Sequence, residues 1–481
     1  MNNHFKNSSI FFIILFTITL SNNFFGQKCS CETELEFVIN YYESNLPGFI
    51  DNVSDSNRLE YENFKKKLQT NAQHENDKNK CFKLLTFYVE FFKDNHSSIQ
   101  MNVNQVDDKD KKSLKAFYKS DAFKNTETIQ LTEDNLKQTE LDKITGIYQT
   151  SDSMYTVAIV PNKNDLRDYV AVIIESKTPL WQKGQVKFEL KQKSENVFDV
   201  FMYMRNHSLR FISNVKLNDG ILVDDWFKTS LKTRKSFNIE APKDLQFKEL
   251  DDSTNYVYIP TFSGNWTAKL DSFYVKYDYA LRSKARLIID VRNNGGGSDE
   301  NVNPILKYLY TNPFYTDKVE LFVTKENIRK SIEWYEENKN DTINFDKEFL
   351  LATWEEIETM KKAPLNTFIP RVDRALIKLD EELTNPKKVA IIINKHCASS
   401  CEALLFMAKE SSKTILVGEN SGGYVGYGEI TFVPTPCYQF NLGCTMTRYK
   451  DQRQYEKLGI APNFQLDNKS DWIEQTLQLL K

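Results

Sequence analysis

Two adjacent serines, Ser399 and Ser400, stand where a predicted strand gives way to a predicted helix. The apolar run 389–393 is typical of a buried strand, and the residues after the serines are spaced as one apolar helix face: Cys401, Leu404, Leu405 and Ala408. The first turn of a helix has unpaired backbone N–H groups, which can stabilise a negatively charged oxygen during acyl transfer. The segment therefore predicts either a serine nucleophile or a serine that only caps the helix.

A glycine triplet follows a second predicted strand. Residues 286–291 are typical of a buried strand, and the chain then runs through an Arg-Asn-Asn sequence into Gly295, Gly296 and Gly297. Glycines let the backbone turn sharply and approach a ligand closely with its N–H groups exposed. The spacing matches neither a Walker loop nor a dinucleotide fingerprint, which disfavours phosphate binding. We expect either a set of backbone donors or an ordinary turn.

Together these segments resemble the serine peptidase family of the C-terminal processing (tail-specific) proteases and the tricorn core protease. Residues 290–297 are similar to the family's D-L-R-x-N-x-G-G segment, and residues 398–402 to its A-S-x-x-E segment. Residues 417–423 are similar to its G-E-x-T-x-G segment. The resemblance covers about residues 250–470 well and the N-terminal part only loosely.

The resemblance implies a role for each matched position. Ser399 would be the nucleophile, and Ser400 would contribute its N–H to the oxyanion. The second oxyanion N–H would come from Gly296 or Gly297. The resemblance also implies an α/β fold whose core is a crotonase- or ClpP-like β/α spiral.

The general base departs from one branch of the family. The processing proteases use a lysine shortly after the third motif, whereas the aligned residue here is Tyr424, and no lysine occurs between Lys413 and Lys450. A serine hydroxyl needs a base within hydrogen-bond reach. The tricorn-like branch uses a histidine from a D-x-H-S/T segment far upstream. Residues 94–97 have this pattern, so the resemblance to that branch implies His96 as the base.

Two further choices stay open around the base. His396 lies three residues before Ser399, but no acid stands in an evident position to orient it. The tricorn-like pattern has a glutamate before a G-[VI]-x-P-D segment, and this implies Glu456 as the acid that orients His96. Glu402 is the other acid near the serine, and on the helix face we expect it to support the loop.

The N-terminal sequence predicts export. A lysine, an apolar run over 10–20 and a short small-residue exit form the pattern of a secretory signal peptide over residues 1–26. The apolar run is too short to predict a membrane span. In an oxidising compartment some of the 7 cysteines should pair, and the short segment between Cys437 and Cys444 predicts a hairpin disulfide. Cys397 and Cys401 either bridge or pack as small apolar side chains.

Composition excludes several classes of partner. The formal net charge is −3 and no basic stripe is present, so we do not expect nucleic-acid binding. The C-x-C pair at Cys29 and Cys31 lacks the histidines that would complete a zinc site, and we expect no cofactor. The expected partner is a peptide or protein substrate, and the sequence leaves the oligomeric state open.

Periodicity divides the mature chain into three predicted domains. Residues 27–115 have the apolar spacing of helices, and residues 140–245 contain short strands that predict a barrel-like sheet. Residues 246–481 alternate strand and helix patterns and form the predicted peptidase core.

These features predict a secreted serine endopeptidase that works through an acyl-enzyme. The alternative is a catalytically inactive relative on the same fold that binds peptides or lipids. A thiol hydrolase using Cys397 or Cys401 is disfavoured, because a free thiolate is oxidised outside the cell.

Overall fold

Helices open the described part of the chain. The computed structural model describes residues 29–102, 104–133, 143–223, 225–232, 235–237, 239–341, 345, 347–372 and 374–481, so the predicted signal peptide lies outside it. The first helices are α1 (Cys31–Asn45), α2 (Pro47–Asn52), α3 (Arg58–Ala72) and α4 (Lys78–Glu90). Ser30 caps α1 and Asp77 caps α4, each by accepting a backbone N–H of the first turn. A disulfide between Cys31 and Cys81 joins α1 to α4.

A short strand and two short helices lead from this helical part to a barrel-like sheet. The connecting elements are β1 (Ser98–Gln100), α5 (Lys111–Lys119) and α6 (Asp121–Lys124). The sheet strands are β2 (Gly146–Thr150), β3 (Tyr155–Pro161), β4 (Tyr169–Ser176), β5 (Val186–Ser194), β6 (Val197–Tyr203), β7 (Leu209–Lys216), β8 (Ile221–Leu222) and β9 (Trp226–Lys228). They pair antiparallel in the order β7-β6-β5-β4-β3-β2-β9-β8, and the sheet is nearly closed.

The rest of the chain alternates strands and helices. Its strands are β10 (Gln246–Asp251), β11 (Thr254–Tyr258), β12 (Arg286–Asp290), β13 (Phe314–Tyr315), β14 (Val319–Val323), β15 (Thr367–Val372), β16 (Leu376–Ile377), β17 (Lys388–Ile393), β18 (Thr414–Gly418), β19 (Tyr427–Pro434), β20 (Asn441–Tyr449) and β21 (Phe464–Gln465). Its helices are α7 (Thr267–Leu281), α8 (Leu306–Leu309), α9 (Lys325–Asn338), α10 (Lys347–Lys362), α11 (Ser400–Lys409) and α12 (Trp472–Leu480). The predicted α/β fold class is confirmed.

The central sheet positions the two motifs found in the sequence. Its order is β10-β11-β12-β17-β18-β21, and every pair is parallel except the first. Strands buried on both faces of a parallel sheet are nearly continuous apolar runs, as β12 and β17 are. Asp290 at the end of β12 pairs with Ile392 near the end of β17. The glycine triplet and the two serines therefore leave the sheet side by side at its carboxyl edge.

A second sheet joins the N-terminal helices to the core. It has the order β1-β20-β14-β15, and β19 pairs with β20 as well. Strand β1 begins two residues after His96, and Ser98 on β1 pairs with Gly443 on β20. The Tyr42 hydroxyl on α1 also donates to the Gly443 carbonyl, at 2.6 Å. Among the described residues no helix has the length and apolarity that a membrane span requires.

Candidate active site

Ser399 occupies a strained turn at the start of α11. Its backbone has φ 56° and ψ −124°, a region that a residue with a side chain rarely adopts. The Ala398 N–H donates to the Asn294 carbonyl at 3.1 Å, which holds the turn against the glycine segment. This conformation belongs to the N-cap position of α11, at the N-terminal end of the helix.

The glycine triplet lies against this turn so closely that a side chain would not fit. A Cβ atom on Gly296 would come within 2.5 Å of the Ala398 carbonyl oxygen and 2.8 Å of the Ser400 nitrogen. One on Gly297 would come within 2.2 Å of the Phe262 carbonyl oxygen, whereas one on Gly295 would meet open space. The last two glycines are therefore required by the approach of the two segments.

The two candidate glycines differ in whether their backbone N–H is already used in a hydrogen bond. The Gly296 N–H donates to Asn294 Oδ1 at 2.9 Å and so is used inside the loop. Gly297 is exposed, and no hydrogen bond from its N–H occurs among the described residues. The Ser400 hydroxyl donates to the Gly297 carbonyl at 2.9 Å and ties the helix to this residue. Of the two glycines, Gly297 is the one with an N–H available to an oxyanion.

Glu402 connects the nucleophile turn to a neighbouring loop, 421–426. One carboxylate oxygen accepts the N–H of Ser399 at 3.1 Å and that of Tyr424 at 2.8 Å. The other accepts the N–H of Gly423 at 2.8 Å and the hydroxyl of Ser421 at 2.5 Å. Burial raises the pKa of Glu402, and these hydrogen bonds act in the opposite direction. The carboxylate holds both segments in one arrangement.

His96 contacts the same loop. Its ring packs edge-to-face on the ring of Tyr424, with 5.4 Å between centroids. Its Nδ1 is buried without a hydrogen-bond partner, and no hydrogen bond between His96 and Ser399 occurs in the described part of the chain. Burial lowers the pKa of His96, while the charge of Asp94 raises it. The lowered pKa favours the neutral imidazole, which is the form that accepts a proton.

Asp94 fixes the turn that carries His96. One of its oxygens accepts the backbone N–H of His96 at 2.9 Å and that of Ser97 at 3.1 Å. The other accepts the hydroxyls of Ser97 and Thr445, both at 2.7 Å. Thr445 belongs to β20, so this buried acid also anchors the turn to the core. The sequence pattern contained Asp94, but nothing in it indicated this network.

Glu456 binds the backbone beside His96. Its carboxyl group accepts the Asn95 N–H at 2.7 Å, the Val425 N–H at 2.9 Å and the Gly426 N–H at 2.6 Å. Burial, with the nearby charge of Asp94, raises the pKa of Glu456 to about 8. The structure thus brings Glu456 to the His96 turn, with its hydrogen bonds on the backbone of residue 95.

Direct contacts link the three segments. The Asn95 side chain donates to the Gly423 carbonyl at 2.7 Å, and the Gly422 N–H donates to the Cys397 carbonyl at 2.8 Å. The structure therefore gathers Gly296, Gly297, Ser399 and Ser400 in one contact group. His96 and Glu456 contact the 421–426 loop, which Glu402 connects to that group.

The two other candidates for the base differ in their position in the core. His396 is exposed, on the turn between β17 and α11. The Lys413 carbonyl accepts the N–H of Val389 at 2.8 Å, which places this lysine at the amino edge of the parallel sheet. The serine motif leaves the opposite edge.

The cysteines correct one prediction and weaken one alternative. Cys437 and Cys444 are not bonded to each other, so the predicted hairpin disulfide is wrong. Cys444 is buried within β20, whereas Cys437 lies in the connection beyond the paired residues. Burial raises the pKa of Cys401 well above its usual range, which opposes formation of a nucleophilic thiolate.

Comparison with known proteins identifies the core. Residues 253–466 match the model of peptidase family S41. None of the curated proteins compared with the chain matches it. Mature CPAF in complex with lactacystin is 11% identical, with a TM-score of 0.48, over 94% of this chain and 97% of that one. A putative peptidase from Parabacteroides merdae ATCC 43184 is 13% identical, with a TM-score of 0.43, over 94% and 97%.

The photosystem II D1 C-terminal processing protease is 11% identical, with a TM-score of 0.36, over 94% of this chain and 96% of that one. The matched segment contains the glycine triplet, both serines, Glu402 and Glu456, while His96 is supplied by the N-terminal part. Residues 253–466 of this chain are therefore similar to peptidase family S41.

Proposed function

We propose that the chain is a serine endopeptidase that cleaves peptide bonds through an acyl-enzyme. The observation that carries this proposal is the strained Ser399 at the start of α11, packed against a glycine segment where Gly297 has an available N–H. Similarity to a peptidase family supports a peptide or protein substrate. A serine that only capped the helix would need neither the positive φ nor the close approach of Gly296.

Each residue has a role in the proposed reaction. His96 takes the proton of the Ser399 hydroxyl as the oxygen attacks the scissile carbonyl carbon. The N–H groups of Gly297 and Ser400 stabilise the negative oxygen of the tetrahedral intermediate. The imidazolium then gives its proton to the leaving amine, and water enters by the reverse sequence to release the acyl group.

Glu456 and Asp94 act through the backbone in this proposal. They hold residues 95 and 96 by hydrogen bonds, which keeps the segment that carries the imidazole next to the 421–426 loop. In the structure the ring packs on Tyr424. Catalysis therefore requires a rotation of the His96 side chain, or a small shift of the 421–426 loop, when substrate binds.

The test is reaction of the purified protein with a fluorophosphonate probe, followed by peptide mapping. Wild type should be labelled on Ser399, and Ser399→Ala should abolish labelling. Exposed Ser412 is a matched control, so Ser412→Ala should label like wild type. Labelling that survives Ser399→Ala would contradict the proposal.

The inactive binding relative stays a second candidate because His96 makes no hydrogen bond to Ser399 in the described structure. A wild-type protein that resists the probe at every pH tested, and hydrolyses no peptide, would favour this candidate.

We also propose that the protein is exported to the periplasm or beyond the cell. The signal-peptide pattern of residues 1–26 supports this, as does the disulfide between Cys31 and Cys81, since such bonds persist in oxidising compartments. N-terminal sequencing of natively produced protein is the test. A start near Gln27 is expected, and retention of Met1 would contradict export.

A further inference from the structure

Two further cysteines lie where α1 begins. Cys29 is exposed and directly precedes Ser30, the residue that caps α1. Cys437 is half-buried in the connection between β19 and β20, and its backbone N–H donates to Glu34 in the first turn of α1 at 2.8 Å. Burial raises the pKa of Cys437 to about 11, and the neighbouring Cys29 thiol acts in the same direction. Residues more than 400 positions apart in the sequence therefore lie at the same end of one helix.

The backbone beside these two cysteines is fixed. The buried carboxylate of Glu34, in the first turn of α1, accepts the N–H of Cys437 at 2.8 Å and also that of Tyr438. The same helix is already held by the disulfide from Cys31 to Cys81. Both sides of the thiol pair are thus anchored within a few residues of the sulfurs.

We propose that Cys29 and Cys437 form a disulfide in the mature protein. The thiols lose two protons and two electrons to an oxidised partner of the disulfide class, such as oxidised glutathione or the disulfide of a thiol oxidase, which leaves as two thiols. Exposure of Cys29 gives that partner access. Cys397, Cys401 and Cys444 are buried and remain thiols.

The bond would close the joint between two parts of the chain. The helical part carries His96, and the Ser399 turn belongs to the core. These parts already meet where β1 pairs with β20 and where Tyr42 donates to Gly443. A covalent link from the start of α1 to the β19–β20 connection would add to this joint. It does not depend on peptidase activity.

Peptide mapping of the folded, unreduced full chain tests the proposal directly. The protein is incubated with oxidised glutathione, alkylated in denaturant and digested with trypsin. Cleavage after Lys28, Lys80, Lys413 and Arg448 leaves Cys29 and Cys31 on one peptide and Cys437 and Cys444 on another. We expect three peptides linked by two disulfides. The peptide with Cys29 and Cys31 is bonded to the peptide of Cys81 and to the peptide of Cys437, in which Cys444 is alkylated.

Two variants separate the outcomes. Cys29→Ser should release the peptide of Cys437 and leave the link from Cys31 to Cys81 intact. Cys444→Ala should keep the assembly. Alkylation of both Cys29 and Cys437 in the oxidised wild type, or a link through Cys444, would overturn the proposal.

Stability gives an independent readout. Cys29→Ser, Cys437→Ser and the double variant should each lower Tm by about 3 °C, because any of the three removes the same bond. Reduction of the wild type under conditions that spare Cys31–Cys81 should give the same loss. If the loss of Tm in the double variant equals the sum of the losses in the two single variants, the two side chains act independently and no bond joins them.

Discussion

The backbone N–H of Ser399 donates to Glu402 Oε2, and the same oxygen accepts the N–H of Tyr424. One buried carboxylate therefore holds both the Ser399 turn and the loop on which His96 packs. In an ordinary capping box, the glutamate three residues after the serine binds only the backbone N–H of the cap residue. Here Glu402 also binds the 421–426 loop, and so it connects two segments of the site.

Glu402→Gln tests this connection. The amide can replace only one of the two oxygens, so its NH2 group would face backbone N–H donors at the other position. We expect probe labelling and peptide turnover to fall by about tenfold to a hundredfold while the protein remains folded. Exposed Glu410, at the end of the same helix, is the matched control, and Glu410→Gln should leave both rates unchanged.

The glycine triplet offers a matched pair of substitutions. Gly296→Ala should abolish labelling and lower Tm, because the new Cβ meets backbone atoms of Ala398 and Ser400 that have no room to move. Gly295→Ala should be tolerated, since its Cβ would lie in open space. Labelling rates and thermal melts of both variants check this. Equal behaviour of the two would refute the close packing of these segments.

His96→Ala should lower turnover by roughly 10³–10⁴-fold, as loss of the base in a triad does, with little change in the melting curve. The control is His396→Ala, which removes an exposed imidazole from the turn before the nucleophile and should keep most of the activity. A larger loss from His396→Ala than from His96→Ala would transfer the role of base to His396.

The rate should depend on pH through His96. Below its pKa the imidazole is protonated and accepts no proton from Ser399, so the rate falls on the acidic side. Because burial lowers this pKa, the acidic limb of kcat/KM should have its midpoint below the ordinary histidine value of about 6.5. A midpoint clearly above that value would contradict the burial of the base.

Glu456 should make stability depend on pH in a defined direction. Its pKa is about 8 in the folded state, above the value of about 4.3 for an unfolded chain. The folded state therefore holds the proton more tightly, and the contribution to stability is complete below the unfolded value and lost as pH rises through 8. The urea midpoint of wild type should fall between pH 5.5 and 8.5, and Glu456→Gln should reduce this fall.

The sequence predicted the parts of the site that follow from local rules. The family resemblance implied that the glycine triplet and the two serines serve one oxyanion, and the structure shows the two segments in contact, because β12 and β17 are parallel neighbours. The position of Cys437 beside the start of α1 was not predicted, because it depends on where a distant helix begins. The network of Asp94 was missed for a similar reason, since its partner Thr445 lies on β20.

The hydrogen bonds of Glu456 show another feature that a sequence motif does not determine. A motif places an acid near the His96 turn, but the choice between a ring nitrogen and a backbone N–H is made by three-dimensional packing. The preference for Gly297 over Gly296 has the same origin, because the side chain of Asn294 uses one of the two N–H groups.

The pairing of β1 with β20 has a consequence for biosynthesis. A ribosome makes His96 early, whereas β20, which β1 needs as its partner, is made more than 340 residues later. Domains fold in order as the chain emerges, and pairings distant in sequence form late. The histidine and the serine can therefore come together only near the end of synthesis. A truncated chain that stops before residue 441 lacks the strand that holds this joint, so the proposed site would stay unassembled in it.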